Sequence, residues 1–202
     1  MRGSIDSPRN RARRSLAIKR ILLESSLVLL SAAAGRAQSN DFVNIAPEPA
    51  GYAWWLRAEF HPFETQVRGI PVGQLRATWC KATEFRKDLF PPESLPDIEE
   101  SGASFTIDGF FDGSKTRQTA LIGVYETCGG ERGSFLLVLA RPSEQPPVVR
   151  FLHEMPRLQF GMLKALRDST IVVFHCLSCD NVSGYRWDKS KKRFVPRSLG
   201  AG

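Results

Sequence analysis

From residue 104 onward the chain is a succession of short apolar runs cut apart by polar or glycine-rich turns, a rhythm that admits β structure and little else. Runs at 104–111, 119–128, 134–140, 148–153, 170–176, 185–187 and 193–195 read as strands, and turns such as Cys128-Gly129-Gly130-Glu131-Arg132-Gly133 separate them. The connections are short, which favours antiparallel neighbours, since a parallel pair needs a long crossover. Phe135-Leu136-Leu137-Val138-Leu139 and Ile171-Val172-Val173-Phe174 are continuous apolar runs, so both are expected to be central strands covered on both faces. Residues 158–167 fit a strand or a short helix.

Upstream the periodicity changes. Leu75, Trp79, Ala82, Phe85 and Leu89 recur at steps of three and four, which predicts a helix over 72–89, stopped by Phe90-Pro91-Pro92. Before it, Trp54, Leu56, Ala58 and Phe60 alternate with Trp55, Arg57, Glu59 and His61, the period of a half-buried strand ended by Pro62. Residues 38–51, with Pro47 and Pro49, read as an irregular arm. The expected fold class is α+β: mainly antiparallel β, as a partial propeller or sandwich sheet, with one helix near 72–89 packed on it.

The first 37 residues have a different character. A basic stretch (Arg9, Arg11, Arg13, Arg14, Lys19, Arg20) precedes an apolar stretch centred on Leu27 to Leu30. Small residues follow at Ala32-Ala33-Ala34 and at Gly35-Arg36-Ala37. That order is the layout of a cleaved signal peptide, and the 11 uncharged residues of 25–35 are well short of the ~20 that span a bilayer. Residues 1–37 are therefore expected to be removed, leaving 38–202 as one periplasmic or secreted domain.

Export changes the meaning of the charge. Residues 1–37 hold eight of the 28 Lys/Arg and two of the 21 Asp/Glu, leaving 20 basic and 19 acidic residues, a net charge of +1 against +7 for the whole chain. No nucleic-acid partner is expected from such a balance, and no membrane partner after processing. The one basic cluster left, residues 189–193 (KSKKR), reads as a solvated hairpin tip.

Cys80, Cys128, Cys176 and Cys179 make an even set in an oxidising compartment, and four cysteines allow three pairings. Cys176-Leu177-Ser178-Cys179 closes most economically on itself, leaving Cys80 to Cys128. The longer loop carries a chain-entropy credit of roughly 4 kcal/mol. A redox pair needs its first cysteine at a helix N-terminus, and a turn follows Cys179 instead. Zinc could recruit His175, Cys176 and Cys179, but no second Cys/His pair sits at ligand spacing.

Ile107-Asp108-Gly109-Phe110-Phe111-Asp112-Gly113-Ser114, followed by Thr119-Ala120-Leu121-Ile122-Gly123-Val124, resembles a single FG-GAP or VCBS-type repeat of the β-propeller families. The resemblance implies a strand end, an Asp-rich loop that binds Ca²⁺, and an apolar strand. Ser114 and Gln118 stand where further acidic ligands belong, and Lys115 and Arg117 add positive charge. The hairpin is thus expected without its metal. Gly184-Tyr185-Arg186-Trp187-Asp188, the basic tip and Phe194-Val195 form a second fragment of similar flavour.

No G-x-S-x-G elbow occurs, and His61, His153 and His175 have no local nucleophile partner, so no metal, cofactor or catalytic residue is assigned. Trp55, with Arg57 and His61 on the same strand face, is the candidate contact for a sugar or peptide. The function expected is that of an exported, non-catalytic binding protein of inhibitor or immunity type, with an unnamed protein or glycan as partner. The alternative is a small secreted hydrolase in which two of Asp108, Asp112, Glu126 and Asp180 oppose each other across a cleft.

Overall fold

The structure is a computed structural model that describes residues 41–47, 52–140 and 147–199. The signal-peptide reading of 1–37 lies outside those residues. In chain order the strands and helical turns are β1 (Val43–Ile45), α1 (Trp54–Arg57), β2 (Ala58–Phe60), β3 (Gln66–Val67), β4 (Ile70–Pro71), α2 (Val72–Leu75), β5 (Trp79–Glu84), α3 (Leu95–Glu100), β6 (Thr106–Gly109), β7 (Gln118–Thr127), β8 (Arg132–Ala140), β9 (Val148–Met155), β10 (Met162–Ala165), β11 (Ile171–Phe174), β12 (Val182–Asp188) and β13 (Arg193–Arg197).

Every strand pairing is antiparallel. A five-stranded sheet has the order β5-β7-β8-β9, with β6 also paired to β7, and a four-stranded sheet has the order β10-β11-β12-β13. The long strand β7 serves two partners along one edge: Gln118 to Leu121 pair with β6, whereas Gly123 to Thr127 pair with β5. Gly123 sits where those partners meet. A Cβ there would lie 2.8 Å from Glu84 Cα and nearer still to the Thr83 carbonyl oxygen, so only glycine lets β5 come this close.

Strand alternation gives β7 and β8 two buried faces. Ala120, Ile122, Val124, Leu136 and Val138 point into a core shared with Met162, Ile171, Val173, Tyr185 and Phe194 of the four-stranded sheet and with Phe42, Phe60, Phe85, Phe90, Phe105 and Phe160. Leu121, Tyr125, Phe135, Leu137 and Leu139 point the other way, where Val67, Ile70, Val72, Leu75 and Trp79 cover them. The central placement expected of the two continuous apolar runs follows from this. β8 lies between β7 and β9, and β11 between β10 and β12. The two sheets join through a bridge in which Ser104 and Leu163 exchange backbone hydrogen bonds of 3.0 and 2.6 Å.

The helix expected over 72–89 does not form. Its stripe is real as burial but is made by three short pieces: the single turn α2, strand β5, and a 3-10 turn at Lys87–Leu89. A β-bulge between Trp79 and Lys81 adds a residue, so Trp79 and Ala82, three apart, both reach the second core. Phe85 and Leu89 then enter the first core. One helix face could not have served both.

The strand expected from Ala53 is also shortened. Trp54–Arg57 is a helical turn, Leu56 is 66% exposed, and only Ala58–Phe60 is strand. A helical turn lets the adjacent Trp54 and Trp55 both rest against the core, which a strand forbids. Within the expected irregular arm, β1 forms and pairs with β2. Cys80–Cys128 ties the bulged start of β5 to the residue after β7, with Cα atoms 4.9 Å apart, so it staples two neighbouring strands. Cys176–Cys179 closes the turn after β11.

Candidate functional site

Trp55, Arg57 and His61 each meet different neighbours. Trp55 packs edge-on against Trp54 and lines a shallow cleft of about 280 Å³ with Asp97, Glu100, Ser101, Leu177 and Ser178. Arg57 turns its guanidinium back on the chain, donating from Nε to the Tyr52 carbonyl at 3.2 Å and from Nη1 to the Ala46 carbonyl. His61 lies 3.8 Å from Glu59. The helical turn removes the shared face that strand alternation had given them.

The four carboxylates do not converge either. Glu126 is seven residues along β7 from Thr119, roughly 23 Å at strand rise. There it accepts from Arg132 Nε at 2.7 Å and pairs with Lys81 at 3.5 Å. The Arg132 hydrogen bond outweighs the effect of burial and holds Glu126 below the ordinary carboxylate value. Asp108 accepts from the Thr119 hydroxyl at 2.6 Å, whereas Asp112 accepts from Gln118 Nε2 at 2.9 Å. Gln118 and Thr119 are consecutive strand residues, so these two carboxylates lie over opposite faces. Asp180 is exposed in the turn beyond Cys179.

Asp112 is the most enclosed of the four, its side chain 1% exposed. One oxygen accepts from the Ser114 N–H at 2.9 Å as well as from Gln118, and the other takes both Arg150 Nε at 3.0 Å and Nη2 at 2.9 Å. Burial pushes its pKa up, but the bonds from Ser114 and Arg150 outweigh it and hold the carboxyl below its ordinary value. Both oxygens are therefore engaged by protein donors, and a guanidinium stands where the resemblance implied a cation. Among the described residues no set of three or more His, Cys, Asp or Glu gathers as metal ligands. Cys176 and Cys179, joined to each other, have no thiolates to offer zinc.

A cluster that the sequence did not reveal brings His153 of β9 beside His175, the residue after β11. His175 Nδ1 is 2.7 Å from Gln159 Nε2, and its Nε2 is 3.0 Å from the Ser183 hydroxyl. His153 stacks on Phe151 and meets Tyr185 at 4.9 Å between ring centroids. Burial lowers the pKa of both histidines; His153 lowers that of His175 further, and Glu154 partly offsets the effect at His153. With the Gln159 amide donating to Nδ1, the imidazole carries its proton on Nε2 and donates it to Ser183. It then has no lone pair with which to activate the serine. His175 acts here as a satisfied structural group.

A concavity of about 560 Å³ lies between the two hairpins that the sequence singled out. Phe110, Phe111 and Gly113 form one wall, Arg186, Trp187, Asp188, Lys189 and Ser190 the other, and Asp168 and Ser169 an end. Phe110 is 53% exposed, while Phe111 beside it is buried, as strand-end alternation requires. Arg150 joins the walls: besides its pair with Asp112, its guanidinium sits 5.7 Å from the centroid of the Trp187 ring.

The groove's acids are already satisfied. Asp188 Oδ1 accepts from Ser190 N, Ser190 Oγ and Lys191 N at 2.9, 2.6 and 3.1 Å. Asp168 takes Thr170 N at 3.2 Å and the Arg197 guanidinium. These contacts, led by the Ser190 hydroxyl for Asp188 and the Thr170 hydroxyl for Asp168, lower both pKa values. Among the described residues Arg186 and Lys189 face no carboxylate within ion-pair distance.

Compared with known proteins, the chain matches no family model, no curated protein and no solved structure. The reading of its role therefore rests on this geometry.

Proposed function

We propose that this chain is an exported binding protein, acting in the periplasm or outside the cell, and that it receives its ligand in the groove between residues 110–113 and 186–190. The observation that carries the reading is the exposed Phe110 ring facing the Trp187 wall across a concavity whose size suits a small ligand or a chain segment. Aromatic side chains that line a concavity supply much of the energy of recognition. Export draws support from the two disulfides, which persist in oxidising compartments. No helix among the described residues is long and apolar enough to cross a membrane.

Hydrolysis by strand-end carboxylates is the weaker reading, because each of Asp108, Asp112 and Glu126 is engaged by its own hydroxyl or guanidinium partner and no two oppose each other. Amide chemical-shift mapping of the labelled protein against a panel of oligosaccharides and peptides tests the proposal. Perturbations are expected at 110–113, 168–169 and 186–190. Ligand-induced shifts confined to the Trp55 cleft or to the His153–His175 cluster would overturn it.

A further inference from the structure

The charge balance of the groove narrows the ligand class. We infer that the groove takes an anionic saccharide, a ring face resting on Phe110 and its carboxylate or sulfate held by Arg186 and Lys189. This rests on the groove being the binding site.

The first step is the state of the groove's own charges. Asp168 pairs with Arg197, and Asp188 lies 3.7 Å from Lys191, so their charge is balanced within the protein. Arg186 and Lys189 are exposed and have no such partner, so the unbalanced charge that a ligand meets is positive. Lys189 reaches across the gap, its Cε 3.8 Å from the position a Cβ on Gly113 would take, so the ammonium group sits over the opposite wall. Lys115, Lys192 and Arg193 are exposed on the two hairpins and extend the positive field beyond the groove. An anion entering here completes charge-assisted hydrogen bonds without displacing any existing ion pair.

The second step distinguishes sugar from other anions. The exposed Phe110 ring offers flat apolar surface of the kind that covers the C–H face of a pyranose ring, and a small inorganic anion would leave that surface bare. A neutral saccharide would leave Arg186 and Lys189 without an anionic partner. Acidic peptides are recognised by clusters of arginines, of which the groove wall offers one, Arg186, and such a peptide brings no sugar ring to cover Phe110.

The test is titration calorimetry of the full chain with uronate- and sulfate-bearing oligosaccharides, each beside its neutral counterpart made by methyl esterification or desulfation, and with polyglutamate as the acidic peptide. Amide shifts report where each probe binds. At least one anionic oligosaccharide is expected to shift 110–113 and 186–190, and to lose about tenfold or more in affinity when neutralised. It should bind more weakly as salt is raised, and Arg186→Ala and Lys189→Ala should each cost a similar factor, whereas Arg186→Lys retains part of the binding. Lys164→Ala, at an exposed position of β10 that does not line the groove, should change nothing.

Equal binding of the neutral counterparts in the same groove would overturn the anionic class while leaving the binding proposal intact. Tighter binding of polyglutamate would overturn the saccharide class. If no saccharide shifts the groove residues, the inference is wrong, and if no member of the wider panel does so either, the binding proposal falls with it.

Discussion

Arg150 reaches both hairpins with one guanidinium, pairing with the buried Asp112 on one side and lying over the Trp187 ring on the other. Replacing it with Ala would leave a nearly buried carboxylate facing only neutral donors, and a loss of about 2–3 kcal/mol in urea unfolding is expected. Because folding lowers the pKa of Asp112, its stabilisation is fully present above pH 3.8 and is lost as pH falls through the lower folded value. The histidines work in the opposite pH region. Burial lowers His153 and His175, so the unfolded chain binds protons that the folded one resists, and stability falls as pH drops below 6.5. Urea midpoints measured from pH 7.5 to pH 5 should decline, and His153→Phe, which keeps the stacking on Phe151 and Tyr185, should flatten that decline. None of these contacts was legible in the sequence. Asp112 reads as a turn acid until Arg150, 38 residues away, is brought to it. Ser183 and Gln159 carry no motif that points to His175.

At the scale of elements, legibility followed how local the cause was. Strands β6 to β9 and β11 to β13 were readable because alternation and turn chemistry act within a few residues, whereas 158–167, which holds β10, fitted strand and helix alike. Residues 72–89 were not, because a bulge at Trp79 and a handover between two cores imitate the spacing of one helical face. Residues 53–61 failed in the reverse sense: a single helical turn interrupts an alternating pattern and separates Trp55 from Arg57 and His61. The cysteine pairing was readable from economy of closure, although what Cys80–Cys128 joins was not. That bond spans 48 residues and Cys176–Cys179 spans three. Loop entropy predicts that replacing the first pair by Ala costs about 4 kcal/mol and the second about 2 kcal/mol. Thermal unfolding of the two double variants checks the order; equal losses would mean that the β5–β7 pairing already restrains the longer loop in the unfolded chain.

For the whole molecule, two antiparallel sheets share one aromatic-rich core, and the hairpin ends that project beyond it form the walls of the groove. The sequence flagged both hairpins, 107–124 and 184–195, as fragments of similar flavour. It could not reveal that they face each other, since their meeting depends on β9 carrying Arg150 between them. The expected binding surface around Trp55 and the groove at Phe110 therefore make different claims about the same function. Comparing the affinity of the full chain for its tightest anionic oligosaccharide with those of Phe110→Ser and Trp55→Leu separates them most directly. The account predicts a loss of about tenfold or more for Phe110→Ser and no change for Trp55→Leu. Loss in Trp55→Leu with Phe110→Ser unchanged would contradict it and return the binding surface to Trp55.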